Sequence, residues 1–395
     1  MFILLELCIL VVLFFTIRRF VSPPWKQRGV NFLKAWFTVR AFWILLAHEV
    51  ALEDGGRVTV LKIISDTIAD IDIGTFLVFV CLAALIKFIG ILASMKRWDV
   101  LLQGQGIVFP FRHLFGTFLI GRFIGTFLPS TAGLDGYKLY DASRFSGKTV
   151  EASAATALEK IMGVTGIFLT YAVALPFGLQ VFHQFFGART VTVALLSIAV
   201  VACMVGAVLL LVWFPGLVKL FIQKLPLPKK KGIAALAERL ADAAVAYRDK
   251  KGLVLYALFL SFTVHFTTAA MYYFTARAIG SAAGQFWQIT LGSSIQILAT
   301  VLSPITIAGE GIREAAQYLL LGNLIGPGNA IVSAALGFWA AEALTLAGGV
   351  FWWIRKADYT PQYCRVHGQK VDFTEAAKAA ITLNGEKNTE QMQSG

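Results

Sequence analysis

Long apolar runs divide this chain, and most are close to the length of a membrane-spanning helix. Lipid offers the backbone no hydrogen-bond partner, so such runs must form helices, and each crossing needs about 20 residues. We predict seven spans: Met1–Ile17, Phe32–Leu52, Gly74–Met95, Glu151–Phe177, Thr190–Phe214, Leu253–Ala278 and Asn329–Trp353. The second is marginal because it contains Lys34, Arg40 and His48, and an amphipathic helix in the membrane interface is the alternative.

The composition is that of a membrane protein. Hydrophobic residues make up 57% of the chain and charged residues 15%, and the mean hydropathy is +0.71. A soluble domain carries about 25% charged residues. The four cysteines form no Cys-x-x-Cys pair, and no Walker-type phosphate loop is visible. We therefore expect no metal, no cofactor and no catalytic residue.

Basic residues indicate the orientation of the spans, because short cytoplasmic loops collect Lys and Arg. If the N-terminus is external, the basic residues that follow the first, third, fifth and seventh spans are all cytoplasmic, as is the C-terminus. The net charge of +12 then follows from topology, and we expect no nucleic-acid partner. The sequence predicts a multi-pass protein of the cell (plasma or inner) membrane.

A ten-residue pattern broken by Pro and Gly occurs twice, at 129–138 and at 304–313, a shift of 175 residues. Pro, Thr, a small residue, an acid, Gly and a base match at the same offsets. Apolar runs precede and follow both copies at similar shifts, which indicates a duplication. The span Thr190–Phe214 between the copies turns the second one over. We therefore expect inverted-topology repeats with a transport site between them.

These features divide the chain into three parts. Residues 1–73 hold N-terminal anchor helices and an external loop. Residues 74–356 form the transmembrane domain, with repeat one at 74–177, a linking span at 190–214, an amphipathic cytoplasmic helix at 232–251 and repeat two at 253–353. Residues 357–395 are a polar cytoplasmic tail. The predicted fold is an all-α polytopic membrane protein of about seven spanning helices plus two broken ones.

The broken helices are expected to be re-entrant. Leu114–Leu128 gives about 22 Å of helix, too short for a core of ~30 Å, and Trp287–Ser303 is similar. Irregular backbone at membrane depth needs a cover of protein or a water-filled cavity. The helix that resumes after each break presents free N–H groups, which suit an anion such as phosphate. Two ordinary Pro/Gly turns with a base at the interface are the alternative.

The repeated pattern and the charges within membrane segments supply the candidate substrate-binding residues. These are Arg122, Pro129, Thr131, Gly133, Asp135, Gly136, Lys138, Glu159, Pro304, Thr306, Gly309, Glu310, Gly311, Arg313 and Glu342. The bases Lys138 and Arg313 would attract an anion. The acids Asp135 and Glu310 would be helix N-caps, a proton or cation site, or partners of the bases when no substrate is bound. Intramembrane charges are usually paired, and Arg122–Glu159 and Arg313–Glu342 are the candidate pairs.

These stretches resemble a known family. Gly121–Ser130, with Asp135–Lys138 and Leu158–Lys160, is similar to the first signature of the lysylphosphatidylglycerol synthase transmembrane region, or flippase-like, family. Ser303–Pro304 with Gly309–Glu314 is similar to the second. The resemblance covers roughly residues 74–356. It implies movement of a lipid head group between leaflets, with membrane lipids as partners and a lipid-modifying enzyme as a further candidate.

Two positions depart from the family pattern and bear on the substrate. The family usually reads Gly-Gly-Asp where this chain has Gly133-Leu134-Asp135, and usually Arg where it has Lys160. The aminoacyl-transferring domain of the synthase members is not recognised in this sequence. We therefore expect no synthesis of lysyl-lipid, and the moved lipid could be an anionic or modified phospholipid, a glycolipid or a hopanoid.

Three other functions remain open. An ion-coupled transporter of a small anion would suit inverted repeats equally well. A polyprenyl-phosphate-dependent glycosyltransferase would use acids such as Asp70 and Asp72, which are predicted to lie outside the membrane just before a span. A purely structural partner protein is the third.

Overall fold

The computed structural model describes most of the transmembrane part of the chain. The described residues are 49–51, 57–127, 132–216, 244–281, 283–302, 311–358, 363–366 and 369–372, with isolated positions between 32 and 47 and at 220. The elements are β1 Glu49–Ala51, β2 Arg57–Thr59, α1 Val60–Ala69, α2 Ile73–Gly104, α3 Phe111–Phe127, α4 Ala132–Ser146, α5 Thr149–Gly178, α6 Gln180–Phe186, α7 Thr190–Trp213, α8 Lys251–Ala278, α9 Phe286–Leu302, α10 Ile312–Ile325, α11 Pro327–Asp358, β3 Tyr363–Val366 and β4 Gln369–Asp372.

The described part is almost entirely helical, which confirms the predicted all-α membrane class. Within it, four segments are long and apolar enough to cross a membrane by length and composition: Ile73–Gly104, Thr149–Gly178, Gln180–Trp213 and Lys251–Ala278. They correspond to four of the predicted spans. The seventh predicted span lies inside α11, whose 32 residues are long enough to cross but which is not among these four.

Other predicted boundaries change. The first predicted span, Met1–Ile17, lies outside the described residues. The predicted second span, Phe32–Leu52, overlaps strand β1, which pairs antiparallel with β2. Part of the expected external loop forms helix α1, and the expected tail contains the antiparallel pair β3–β4. Of the predicted amphipathic helix at 232–251, residues 232–243 lie outside the described part, and Val245–Tyr247 forms a single 3₁₀ turn before α8 begins.

The chain contains two successive sets of four helices, and in each set two short helices lie between two long ones. The first set is α2, α3, α4 and α5, with 32, 17, 15 and 30 residues. The second is α8, α9, α10 and α11, with 28, 17, 14 and 32 residues. Helices α3 and α9 begin at Phe111 and Phe286 and end at Phe127 and Leu302, so both ends differ by 175 positions. This is the arrangement expected of a duplication with that shift.

The two sets run against each other. Lys87 of α2 donates to Thr268 of α8, and Arg97, ten residues further along α2, donates to Ser261, seven residues earlier in α8. The leading helices are therefore antiparallel neighbours, as inverted repeats require.

The second helix of each set packs against the last helix of the other set. Helix α3 contacts α11, and helix α9 contacts α5. Phe115 stacks edge-on against Phe351 at 5.4 Å between ring centroids, and Phe177 stacks on Trp287 at 4.8 Å. Neither repeat therefore completes its packing alone.

Glycines allow the closest approaches between the repeats, as small residues commonly do where membrane helices pack. A Cβ placed on Gly348 of α11 would lie 2.1 Å from the carbonyl oxygen of Leu119 in α3. A Cβ on Gly166 of α5 would lie 2.4 Å from the carbonyl oxygen of Ser261 in α8. Because both obstacles are backbone atoms, a larger residue at either position would separate the helices.

Candidate functional site

The structure describes only part of the predicted site. Six candidate residues fall in the two breaks, outside the described part: Pro129, Thr131, Pro304, Thr306, Gly309 and Glu310. Glu342 belongs to helix α11, but its side chain is not described. The remaining candidates lie on α3, α4, α5 and the start of α10.

The best-defined feature is a buried ion cluster in the first repeat, joining α2, α4 and α5. Lys138 donates to Oε2 of Glu159 at 2.5 Å, and Arg97 donates to Oε1 of the same carboxylate at 3.1 Å. Lys138 is 1% exposed, Glu159 3% and Arg97 7%. Two buried cations therefore share one carboxylate. Arg97 also donates to Ser261 at 3.2 Å, which links the cluster to the second repeat.

A second, more accessible pair extends this cluster toward solvent. Asp135 lies 3.6 Å from the Lys138 ammonium and 2.5 Å from that of Lys160. The exposed fraction of the side chain rises from 1% for Lys138 to 24% for Asp135 and 51% for Lys160. The charged groups thus form a continuous path from the interior to the surface. Among the five groups of the cluster, three are cationic and two are anionic.

Aromatic rings surround the buried end of the path. The Lys138 ammonium lies 5.3 Å from the Trp98 ring centroid and 5.6 Å from that of Phe118. A cation over a ring face is stabilised by the quadrupole of the ring, more so where water is excluded. Such surroundings also strengthen the attraction between the ammonium and any anion that reaches it.

The local sequence explains why α4 lies so close to α3. Gly121 and Gly125 face the start of α4, where a Cβ would approach Leu134 atoms to 3.0 and 3.2 Å respectively. Asp135 occupies the first turn of α4, where the helix dipole favours an acid. Gly133 is buried, whereas Gly136 is exposed and has open space where its Cβ would be. Of these two glycines, Gly136 leaves room for a ligand to approach the backbone.

The matching base of the second repeat has a different partner. Arg313 donates from Nε and Nη2 to the carboxylate of Glu314, both at 2.9 Å, and its guanidinium lies 4.2 Å from the Phe338 ring centroid. The other Glu314 oxygen accepts the backbone N–H of Gly311 at 2.7 Å. Gly311 begins α10 with φ of +80°, a left-handed conformation that glycine adopts without strain. This second pair is buried and neutral.

Arg122 bridges the repeats instead of joining the ion cluster. Its Nε and Nη2 donate to Thr345 of α11 at 3.3 and 3.2 Å. The candidate pair Arg122–Glu159 is therefore wrong, because Glu159 is bound by Lys138 and Arg97. The candidate pair Arg313–Glu342 involves a side chain outside the described residues and stays a prediction.

Three residues that form buried polar contacts, Arg97, Glu314 and Asp141, were not predicted from the sequence as site residues. Arg97 was counted as a charge that follows a span ending at Met95, but α2 continues to Gly104 and carries Arg97 into the interior. The apolar residues beyond Met95, such as Trp98 and Leu101, were the available signal. Glu314, which belongs to the second family signature, and Asp141 are not among the predicted substrate-binding residues. Asp141 is buried and accepts a hydrogen bond from Thr117, and it lies 2.8 Å from Nε2 of His113.

The two acids that the glycosyltransferase alternative requires, Asp70 and Asp72, lie at helix ends. Oδ2 of Asp72 accepts the backbone N–H of Thr75 at 2.8 Å and caps the start of α2. That hydrogen bond lowers the pKa of the Asp72 carboxyl below its ordinary value of 3.8. Asp70 ends α1. Within the described residues, no group of three or more His, Cys, Asp or Glu side chains could hold a metal ion.

Comparison with known proteins identifies the chain at the family level. The model of the family described as the lysylphosphatidylglycerol synthase TM region matches residues 60–349. That range begins at α1, contains all of α2 to α10 and ends within α11. A search of the curated proteins found no match.

Proposed function

This chain belongs to the lysylphosphatidylglycerol synthase transmembrane-region family, and from that premise we propose that it is a lipid translocase. It is a multi-pass membrane protein, and the family match covers the membrane region. The proposed activity moves an anionic or modified lipid head group between leaflets and breaks no covalent bond. The acyl chains remain in the bilayer while the head group passes between the repeats.

One observation carries this proposal: Arg97 and Lys138 share a single buried carboxylate, Glu159. Buried charges are costly unless they are balanced, and the further acid near Lys138, Asp135, lies 3.6 Å away and also pairs with Lys160, so a closer anion is favoured. Two buried donors beside it, Nε of Arg97 and Nε1 of Trp98, have no acceptor among the described residues. Excess positive charge together with unused donors is suited to a phosphate.

The path of charges gives a route for that phosphate. A head group would first meet Lys160, which is half exposed, and would then compete with Asp135 and Glu159 for Lys138. A phosphodiester and a carboxylate both carry one negative charge. The exchange therefore leaves no buried ammonium unpaired at any stage, which is the condition for a low barrier.

The second repeat would supply the other half of the route. Arg313 occupies the position that matches Lys138 and is held by Glu314. We expect the two bases to serve opposite leaflets, with a relative movement of the repeats alternating the access. The contacts Arg97–Ser261 and Arg122–Thr345 cross between the repeats and would have to rearrange in that movement.

The test is reconstitution into liposomes that contain a fluorescent anionic phospholipid, followed by dithionite quenching of the outer leaflet. A translocase allows quenching beyond about half of the label, and we expect Lys138→Ala or Arg313→Ala to abolish the excess. Arg144→Ala is the matched control, because Arg144 lies on the same helix as Lys138 but bonds Tyr140 at the surface. Quenching that stays at half for the wild-type protein would refute translocation of that lipid.

A transporter of a small soluble anion is the second candidate, because the same cluster would bind any phosphate-like anion. The two functions differ in what crosses the membrane. Uptake of radiolabelled phosphate into sealed liposomes, with no effect on labelled lipid, would favour the transporter.

A further inference from the structure

The buried polar atoms without partners differ between the two repeats. Within the described residues, the first repeat leaves two pure donors without a partner, Nε of Arg97 and Nε1 of Trp98, and the hydroxyl of Ser143. The second leaves three pure acceptors without a partner, the carboxamide oxygens of Gln285, Gln296 and Gln317, and the hydroxyl of Ser281. Buried acceptors normally have a donor or a cation as partner. The second repeat is therefore suited to a ligand that is a hydrogen-bond donor or a cation, whereas the first is suited to an anion such as phosphate.

Gln317 of α10 contacts Ser293 of α9, the helix that also carries Gln296, at a place with almost no solvent exposure. Gln296 is 1% exposed, and Gln317 and Ser293 are 0% exposed. Nε2 of Gln317 donates to the hydroxyl of Ser293 at 3.0 Å. Ser293 and Gln296 are three residues apart on α9 and so lie on the same face of that helix. The three side chains form one polar cluster inside an apolar bundle.

The direction of the Gln296 amide follows from its neighbour. Thr300 donates its only hydroxyl proton to the backbone carbonyl of Gln296 at 2.9 Å, so the oxygen of that hydroxyl can only accept. The group that approaches it at 3.3 Å must then be the amide nitrogen of Gln296. The amide oxygen is therefore assigned by chemistry and faces away from Thr300.

The charges nearby favour a particular kind of ligand. Glu314, one turn before Gln317 on α10, uses one oxygen for Arg313 and the other for the N–H of Gly311. The oxygens described in the cluster belong to amides and hydroxyls, whereas divalent cations prefer anionic oxygen ligands. Neutral amide and hydroxyl oxygens beside a neutralised Arg–Glu pair suit a monovalent cation.

We propose that Gln296, Gln317 and Ser293 form a binding site for a monovalent alkali cation, with sodium as the first candidate. The three residues flank the single break between α9 and α10, with Ser293 and Gln296 on the helix before it and Gln317 on the helix after it. In transporters built from inverted repeats, the ends of broken helices hold coupling ions. The cation would stabilise one arrangement of the second repeat. This inference does not depend on which substrate the first repeat binds.

The experiment measures thermal unfolding of the purified full chain in detergent, in buffers of equal ionic strength containing sodium, lithium, potassium or choline chloride. A ligand that binds only the folded state raises Tm with its concentration. We expect one of the alkali cations to raise Tm above the choline value by about 2 °C or more at saturation. Gln296→Leu and Gln317→Leu should both lose that difference.

Gln288→Leu is the matched control, because Gln288 is a glutamine of the same helix that contacts Gln180 at the surface. It should retain the full salt-specific difference. Gln317→Glu keeps an oxygen ligand and adds negative charge, so it should reach the same rise in Tm at a lower cation concentration. If either leucine variant fails to fold, the cation concentration at which Gln317→Glu reaches its rise in Tm still tests the proposed site.

Two results would overturn the proposal. Equal Tm values in all four salts would mean that water alone satisfies the amide oxygens. A cation-dependent rise that persists in both leucine variants would place the bound cation elsewhere. Because no lipid movement is measured, either result leaves the proposed translocase activity untouched.

Discussion

The three buried members of the ion cluster, Arg97, Lys138 and Glu159, should differ in how much stability is lost when each is replaced. Wild-type protein has the cations Arg97 and Lys138 against the anion Glu159, all buried. Glu159→Gln would leave Arg97 and Lys138 facing each other, with the more exposed Asp135, 3.6 Å from the Lys138 ammonium, as the remaining acid of the cluster. Lys138→Met would leave Arg97 and Glu159 as a balanced pair at 3.1 Å. The shape of the side chain changes little in either variant, so charge balance dominates.

The expected magnitudes differ accordingly. Removing one partner of a buried pair costs about 3–5 kcal/mol, so Glu159→Gln should lower Tm by roughly 5–10 °C. Lys138→Met should change the free energy of unfolding by less than about 1 kcal/mol, because the remaining pair Arg97–Glu159 is balanced and the desolvation cost of the buried ammonium is removed. We therefore expect Lys138→Met to give a stable but inactive protein.

Thermal unfolding in detergent, followed by intrinsic fluorescence, measures both variants under the same conditions. Glu151→Gln is the control for loss of an acid from α5, since Glu151 lies in the first turn and outside the cluster. If Lys138→Met lowers Tm as much as Glu159→Gln does, the cluster does not carry surplus positive charge. If Glu159→Gln lowers Tm no more than Glu151→Gln does, Glu159 does not stabilise the buried cations.

Further predictions concern the scaffold. Gly348→Val should destabilise the protein by about 1–3 kcal/mol, because the new Cβ meets the carbonyl of Leu119, whereas Gly206→Ala on a face with open space should be neutral in the same melting assay. Tyr247→Phe should cost about 1–2 kcal/mol, since the buried hydroxyl donates at 2.6 Å to a carbonyl in the last turn of α2. Asp72→Asn should preserve transport and lose only the small contribution of the charge, because Asn caps a helix as well as Asp, while the glycosyltransferase alternative requires loss of activity. The lowered pKa of Asp72 means that its contribution is present at neutral pH and is lost only as the pH falls below the ordinary value of 3.8, which an acid titration of Tm would show.

Hydropathy located the cores of α2, α5, α7 and α8 but not their ends. An apolar run measures the stretch that faces lipid, while a helix continues as long as tertiary contacts cover it. Helix α2 passes Met95 and reaches Gly104, and that extension brings Arg97 into the ion cluster. A single sequence contains no sign that Arg97 will meet a carboxylate 62 positions away.

The site residues show the same limit. The duplicated pattern pointed to Lys138 and Arg313, and both are buried and paired. Asp135, offered by the sequence as a partner of the bases, lies 3.6 Å from Lys138. The closer partners were not predicted: Arg313 binds the adjacent Glu314, and Glu159 binds Lys138 rather than Arg122. Which charges meet depends on how α2, α4 and α5 cross, and helical spacing alone does not determine a crossing.

The exchange of partner helices between the repeats bears on how the chain is made. The partner of α3 in the second repeat is α11, the last long helix of the described chain, and the partner of α5 is α9. During synthesis, the surfaces of α3 and α5 that pack against the second repeat therefore remain without their partners until that repeat has been inserted. A ribosome that stops near residue 243 would release a half that cannot finish its packing. Conversely, two fragments divided near that position should find each other when they are expressed together, because each carries the surface that the other needs.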